Sequence, residues 1–455
     1  MILTIFAIVS LVTTFSFIGC KAAPSEEVTG TSAAETTTAK ETAVSKETTA
    51  AEETVEAPEL KGEIEIFSWW TAGADGDALA ALIDAFSEKY PTVEVINAAV
   101  GSGGAGIDAK PILVTRVQGG NPPDTFQVHA GHELIDTWVV ADLMEPVTFL
   151  FDENDWREVY PGDLIEILSY NGEIWSVPLN IMPANILWYN KKIFEDAGLN
   201  PPKTIDEFYS VCETLKENGI TPMAYANKGS WANAQLFEVL LAAIAGPDNY
   251  KALFNGAMRW DSDEVKETLN TMLKFIEYSN EDHAALEWDN ATELVANGKA
   301  AMYISGDWCN GYFKKLGLTP GEDYGFVPSP GTEGIYIALS DSFGLPKGIQ
   351  NRPATVEWLK FIGSKEAQDI FNPIKGSIPP RTDCDKSEYD AYQQYSMEIY
   401  STSKILPSLT HGAAASEPWL VAIEDVLVNF VVTGDIEGTA AELQRVAEDV
   451  GTFTK

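Results

Sequence analysis

Apolar and polar residues alternate with two different periods along the first part of the chain. Ile64, Ile66 and Ser68 alternate with polar or opposite-face neighbours, which is typical of a strand. Between 77 and 90 apolar residues recur at helical spacing, and Pro91 ends the pattern. The same patterns predict strands at 93–100 and 124–128, with a helix at 107–117 between them. This β-α-β-α-β order indicates an α/β lobe with a parallel sheet.

The rest of the chain repeats the alternation with other residues. Strands are predicted at 173–179, 186–189, 300–305, 324–327, 336–339 and 342–345. Helices are predicted at 205–218, 231–245, 265–279, 288–297, 354–362 and 365–371. A chain of 455 residues is long enough for two such lobes. Ligands of open α/β sheets bind beyond the carboxyl ends of the strands, so side chains near those ends are the first candidates for a site.

The N-terminal segment predicts export and a lipid anchor. Residues 2–18 are almost entirely apolar and uncharged. Residues 17–20, Phe-Ile-Gly-Cys, resemble a bacterial lipobox with Cys20 as the lipidated residue. We interpret residues 1–20 as a lipoprotein signal peptide. Residues 21–60 are rich in Thr, Ala and Glu, a composition that predicts a disordered tether. The protein is therefore expected on the outer face of the cytoplasmic membrane, held there through Cys20.

Charge and motif content exclude several classes of function. The chain has 30 Lys and Arg against 68 Asp and Glu, and no basic stripe, so no nucleic-acid partner is predicted. Its 4 His and the cysteines beyond Cys20 lack the spacing of a metal site. The G-x-G-x-x-G at 101–106 is not followed by an acidic residue at the end of the next strand, which a dinucleotide site requires. We predict neither a metal nor a cofactor.

Five stretches resemble the solute-binding proteins of sugar ABC importers. They are EIFSWWTAG, NPPDTFQVHAGHELIDTW, SVPLNIMPANILWYNKKIFEDAGLNPPKTIDEF, GKAAMYISGDW and FNPIKGSIPPR. The first two are most similar to the branch that binds glucose and galactose. The resemblance implies the type II periplasmic-binding-protein fold, in which hinge-linked α/β lobes contain mixed, mostly parallel sheets.

The same resemblance implies the division of the chain and its function. Residues 61–178 with 328–378 would form the first lobe, and 179–327 with 379–455 the second. The protein would be a monomer and not an enzyme. It would capture a monosaccharide (glucose, galactose or mannose) between the lobes and deliver it to the transmembrane subunits of an ABC permease.

Nine residues are expected at the sugar. A pyranose has apolar faces that suit flat aromatic rings, and a rim of hydroxyls that suits planar polar groups. By resemblance, the aromatic contacts would come from Trp288 and Trp308 in one lobe and from Trp69 and Trp70 in the other. The polar contacts would come from Gln127, His129, Asp341, Lys375 and His411. We expect Asp341 in a turn between two strands and Lys375 in the loop after Phe371.

Three alternatives remain open from the sequence. The ligand could be a di- or oligosaccharide, in which case His411, the candidate for blocking a second subsite, would not block it. A glycoside hydrolase at the cell surface would need a pair of carboxyl groups, for which Asp307 and Asp341 are the candidates. A surface adhesin would fit the tether but not the tryptophans in the loops.

Overall fold

The computed structural model describes residues 60–71, 73–101 and 109–451. The predicted signal peptide, Cys20 and the tether up to residue 59 lie outside the described residues, as do positions 102–108 of the glycine-rich segment. Within the described ranges, no helix has the length and apolar character needed to cross a membrane.

The described residues form strands and helices in alternation. The strands are β1 Gly62–Phe67, β2 Val93–Asn97, β3 Thr125–His129, β4 Met144–Glu145, β5 Ser169–Tyr170, β6 Glu173–Ile174, β7 Ser176–Pro178, β8 Met182–Pro183, β9 Ile186–Asn190, β10 Thr221–Met223, β11 Ala300–Ser305, β12 Tyr324–Pro328, β13 Ile335–Leu339, β14 Asp341–Pro346 and β15 Lys404–Pro407. The helices are α1 Gly73–Lys89, α2 Ala109–Gln118, α3 His132–Leu134, α4 Thr148–Glu153, α5 Gly162–Ile167, α6 Lys191–Ala197, α7 Ile205–Glu217, α8 Trp231–Phe254, α9 Asp263–Glu277, α10 Trp288–Ala296, α11 Trp308–Lys315, α12 Arg352–Ile362, α13 Lys365–Lys375, α14 Ala391–Thr402, α15 Glu417–Thr433 and α16 Ile436–Val450. A π-helical turn, Ile135–Val139, follows α3, and 3-10 turns lie at Trp156–Glu158, His283–Ala285 and Lys386–Glu388.

Two larger sheets organise the fold. In the first, the strand order is β2-β1-β3-β14-β4, and β7 also pairs with β14. Strand β1 is parallel to β2 and β3, whereas β14 is antiparallel to β3, β4 and β7. In the second sheet the order is β10-β11-β9-β12, with β9 antiparallel to both of its neighbours. A smaller sheet has the order β15-β13-β8, and β5 and β6 form a two-stranded sheet.

The prediction of mixed sheets is confirmed, but the sheets are not mostly parallel. Among the described strands, antiparallel pairings outnumber parallel ones. The reason lies in the strands that return late in the chain. Strand β14 begins with Asp341 opposite His129, the last residue of β3, so it can pair only in the opposite direction.

Two large hydrophobic cores lie on these sheets. In the first, Phe86 of α1 packs against Trp358 and Phe361 of α12. In the second, Trp260 and Trp419 pack against each other beside helices α8 and α15. The two cores agree with the predicted two-lobed α/β architecture. The lobe boundaries at residues 178, 327 and 378 stay a prediction.

Helix α8 is longer than its predicted extent, 231–245. It continues to Phe254, and its backbone is interrupted at Gly246, where φ is 76°. Glycine adopts this left-handed conformation without steric cost, and Pro247 then begins the second helical part in a position that needs no backbone N–H. The predicted helix, 231–245, therefore ends at the residue before the interruption at Gly246.

A buried ion-pair network connects α2, β3 and α3. Glu133 is buried, and its Oε2 lies 2.9 Å from Lys110 Nζ and 2.8 Å from His129 Nδ1. Burial raises the pKa of this carboxyl, but Lys110 and His129 outweigh burial and lower the pKa to about 2. The ionised form of Glu133 is therefore favoured by folding.

We expect Glu133→Gln to lower the free energy of unfolding by about 3 kcal/mol at neutral pH, because the folded-state pKa lies well below the ordinary 4.5. The sign follows from the depressed pKa: the contribution is present above about pH 4.5 and is lost as the pH falls toward about 2. Urea unfolding at a series of pH values measures it.

Glu366→Gln is the matched control. It removes an ion pair with Lys89 whose two side chains are 57% and 47% exposed, so its effect should stay below about 1 kcal/mol. Equal losses in the two variants, or a loss from Glu133→Gln that persists at pH values near its folded-state pKa, would contradict the role assigned to Glu133.

Candidate ligand site

The carboxylate of Asp341 lies where the chain passes from β13 to β14. The prediction of a turn is wrong: Asp341 is the first residue of β14, because its backbone pairs with the last residue of β3. Its Oδ1 accepts a hydrogen bond of 2.7 Å from Gln127 Nε2, and its Oδ2 accepts one of 2.8 Å from Asn180 Nδ2. The Asp341 N–H in turn donates to Asn180 Oδ1. Each carboxylate oxygen keeps lone pairs for a further donor.

Gln127 and His129 lie on one face of β3, as the alternation predicted. Phe126 and Val128, on the other face, pack into a hydrophobic cluster. The side-chain oxygen of Gln127 accepts a hydrogen bond from a backbone N–H at the end of β1. His129 Nε2 lies 3.9 Å from Asp341 Oδ1. The end of β3 therefore contributes an amide and an imidazole to the same place as Asp341.

Five rings form a continuous row beside these polar groups. Trp69 lies 5.3 Å from His129 between ring centroids, and His129 lies 5.9 Å from His411. His411 lies 5.4 Å from Trp308, which lies 6.1 Å from Trp231. We call this set the aromatic row. Trp69 and Trp308 are both partly exposed, so part of each indole is accessible.

The other two predicted tryptophans do not contact the aromatic row in the part of the chain that the structure describes. Trp70 is buried in the first core, where its ring lies 5.0 Å from Phe371 and 6.0 Å from Phe343. Trp288, at the start of α10, lies 5.5 Å from Tyr312. The structure thus brings together Trp69, Trp308 and the predicted polar residues, and sets Trp70 and Trp288 apart.

Lys375 is the last residue of α13, so the prediction of a loop is wrong. The helix continues past Pro373 and ends at Gly376, whose left-handed φ of 92° terminates it. Lys375 Nζ lies 3.2 Å from Asp75 Oδ1. Burial lowers the pKa of this amine, but Asp75, Asp341 and Asp307 together raise it above its ordinary value. The charged lysine therefore balances several carboxyl groups near the site.

Two buried polar atoms at the start of α11 have no hydrogen-bond partner among the described residues. They are Asp307 Oδ2 and Trp308 Nε1. Burial, the largest influence, raises the pKa of Asp307 well above its ordinary value. A buried carboxyl oxygen and a buried indole N–H on adjacent residues are groups that a polar ligand can satisfy.

His411 comes from a loop, as predicted, and is buried. The loop contacts the turn after β3 closely: a Cβ placed on Gly131 would lie 2.7 Å from Ala413. Burial lowers the pKa of His411 well below its ordinary value, and neighbouring His129 and Lys110 lower it further. His411 is therefore a neutral imidazole.

The site combines partly exposed indoles, ionised and neutral acceptors, an amide and an ammonium group. No group of His, Cys, Asp and Glu that could hold a metal ion occurs among the described residues. Sequence reasoning missed Asn180, Asp75 and Trp231. Only Asn180 carried a usable signal, because it lies two residues after β7 and so near a strand end.

A family model and several known proteins match this chain. The model of the bacterial extracellular solute-binding protein family matches residues 70–369. An uncharacterized ABC transporter extracellular-binding protein of Pyrococcus horikoshii is 42% identical over 385 residues, which cover 84% of this chain and 86% of that protein. The xylose/arabinose-binding protein XacG of Haloferax volcanii is 31% identical over 389 residues, 84% of this chain and 83% of that protein.

A solved structure matches the fold. The bacterial solute receptor AcbH superposes with a TM-score of 0.76 at 20% identity, over 87% of this chain and all of that one (100%). This likeness confirms the predicted two-lobed type II fold. The relatives are binding proteins, in agreement with the prediction that the chain is not an enzyme. The chain belongs to the bacterial extracellular solute-binding protein family.

Proposed function

We propose that this protein is the sugar-binding component of an ABC importer and that it binds a monosaccharide, namely glucose, galactose or mannose. The observation that carries the proposal is the aromatic row, which lies beside a buried carboxylate with free lone pairs. Flat rings next to convergent polar groups are the combination that a pyranose requires. The similarity to a xylose/arabinose-binding protein and to an ABC transporter binding protein supports the same class of ligand and partner.

Trp69 and Trp308 are the proposed ring contacts, because they lie at separate points of the aromatic row and keep accessible surface. Asp341 accepts hydroxyl protons, and Lys375 donates from a compact charge. The other proposed polar contacts are Gln127, His129 and His411. Trp70 and Trp288 stay predicted contacts.

The proposed mechanism is binding followed by release to a permease. The residues of the site come from distant segments on both sheets, so a sugar contacts all of them only when the lobes are closed. Because the sugar makes more contacts with the closed conformation than with the open one, its binding shifts the protein population toward the closed conformation. The transmembrane subunits of the permease would recognise that form, and the protein would act as a monomer.

The N-terminal segment completes the proposal. Lipid on Cys20 would hold the protein at the outer face of the cytoplasmic membrane, with residues 21–60 as the tether. A di- or oligosaccharide ligand is the alternative, and it requires His411 to leave room for a second sugar unit.

The first prediction concerns the ligand. Calorimetry of the purified protein with glucose, galactose, mannose, xylose, arabinose and maltose should give saturable binding of one of the three predicted hexoses, with the sugar unchanged after long incubation. Preferential binding of maltose would establish the oligosaccharide alternative. Absence of binding across the panel would contradict the proposed ligand class.

The second prediction concerns Trp308. We expect Trp308→Ala to weaken sugar affinity by roughly 100-fold or more, because the loss of the ring contact removes about 3 kcal/mol of binding energy. Trp175→Ala is the matched control: Trp175 is also partly exposed, and its Nε1 donates to Tyr170 O away from the aromatic row. Near-normal affinity in a folded Trp308→Ala protein would remove Trp308 from the site.

The third prediction concerns the anchor. Cys20→Ser should move the protein from the membrane fraction to the soluble exported fraction, because the thiol that carries the lipid is absent. Cys384→Ser, which changes a buried thiol of the folded part, is the control and should leave the protein in the membrane fraction. Membrane retention of the Cys20 variant would contradict the lipid anchor.

A further inference from the structure

A buried carboxyl group, that of Glu238, is connected to His411 through the hydroxyl of Ser408. Glu238 of α8 is completely buried at 0% exposure. Its Oε2 accepts backbone N–H bonds of 2.6 Å from Leu409 and 3.3 Å from Thr410. The hydroxyl of Ser408 lies 3.0 Å from Oε1 and 3.1 Å from Oε2. The first three residues of the loop that carries His411 are therefore all bonded to one side chain.

When Glu238 is ionised, the direction of these hydrogen bonds fixes the position of a proton on His411. An ionised carboxylate only accepts, so the Ser408 hydroxyl must donate its proton to Glu238. The Ser408 oxygen is then an acceptor for His411 Nδ1, which lies 3.0 Å away. Ser408 and His411 can form this hydrogen bond only if His411 Nδ1 carries the hydrogen.

The other ring nitrogen of His411 is consequently unprotonated. Within the described residues, none hydrogen-bonds His411 Nε2, and the ring lies between Trp308 and His129 in the aromatic row. Burial is the largest influence on the ring and keeps it neutral; the neighbouring His129 and Lys110 also disfavour its protonation, whereas Glu133 favours it. Nε2 therefore offers a lone pair to the site.

We propose that Glu238, acting through Ser408, is a positioning residue that holds His411 in the Nδ1–H tautomer, so that Nε2 accepts a hydrogen bond from a ligand hydroxyl. The assignment of the donor as a sugar hydroxyl rests on the proposed function. The tautomer itself depends only on the three side chains and is observable without ligand.

This arrangement distinguishes ligands by whether they present a hydrogen-bond donor or an acceptor to His411 Nε2. An acceptor without a partner in a buried site disfavours any ligand that lacks a donor at that point. A hexose whose hydroxyl at this position is replaced by O-methyl or by hydrogen would leave Nε2 unsatisfied. A histidine with the opposite tautomer would favour an acceptor there.

The test is nitrogen NMR of the full protein with ¹⁵N-labelled histidine, recorded without sugar at about pH 8, where Glu238 is ionised because burial raises its pKa only to about 7. The chain has 4 His, so His411→Gln identifies the His411 signals. We expect the Nδ1–H tautomer in the unmodified protein. The Nε2–H tautomer would overturn the proposal.

Glu238→Gln should invert the tautomer. The backbone donors Leu409 and Thr410 both point at Oε2, so the amide oxygen takes that position and the NH₂ group replaces Oε1 beside Ser408. Ser408 then accepts from the amide and turns its own proton to His411 Nδ1, which leaves the hydrogen on Nε2. An unchanged Nδ1–H tautomer in the folded variant would overturn the role of Glu238.

Ser408→Ala and Ser416→Ala form a matched pair that remains informative if Glu238→Gln does not fold. Ser416 lies in the same loop and is buried, and in the part of the chain that the structure describes its Oγ has no hydrogen-bond partner. Ser408→Ala removes the acceptor of Nδ1 and should shift His411 toward the Nε2–H tautomer, whereas Ser416→Ala should leave the spectrum unchanged. Equal spectra for the two variants would contradict the relay.

Affinity measurements separate this proposal from the proposed function. For the sugar that binds the unmodified protein, Glu238→Gln should weaken affinity by about tenfold, the cost of one mismatched hydrogen bond. An inverted tautomer with unchanged affinity would confirm that Glu238 sets the tautomer and would remove His411 from the sugar contacts.

Discussion

The hydrogen bonds of the Asp341 carboxylate are the interaction on which the junction between the first sheet and the smaller sheet depends. Asp341 begins β14 in the first sheet, two residues after β13 ends in the smaller sheet. Gln127 and Asn180 donate to its two oxygens, and all three side chains are buried. A buried carboxylate is costly unless donors surround it, so these bonds fix three separate segments at the point where the chain crosses between sheets. A ligand that forms a hydrogen bond with Asp341 therefore contacts the segment in which the chain passes from β13 to β14.

The aromatic row lies beside Asp341 and is built from distant parts of the chain. Its members come from the end of β1, the end of β3, the start of α8, the start of α11 and the loop after β15. Buried charges on both sides hold the two imidazoles: Glu133 bonds His129, and Ser408, itself bonded to Glu238, bonds His411. Because both histidines are fixed by groups behind them, their orientation does not depend on the ligand, and such preorganisation lowers the cost of binding.

Local periodicity predicted most strands and helices of the fold, and it placed Gln127 and His129 on one face of β3. It was wrong where a local signal competed with a tertiary one: Asp341 pairs with a strand more than two hundred residues away, and Pro373 suggested a helix end that Gly376 provides instead. Trp69 and Trp70 looked equivalent, although adjacent residues in extended chain face opposite sides and Trp70 is buried in a core. Helices α3–α6, α11 and α14–α16 were not predicted. No sequence pattern connects Glu238 to Ser408, because only the folded chain brings them together.

The most direct test of the central claim is a crystal structure of the protein with a bound monosaccharide. We expect the sugar ring within contact distance of Trp308 or Trp69, with one hydroxyl bonded to an oxygen of Asp341 and another donating to His411 Nε2. A sugar bound elsewhere on the protein, without contact to Asp341 or to the aromatic row, would contradict the claim that the site lies where the chain crosses between the first sheet and the smaller sheet.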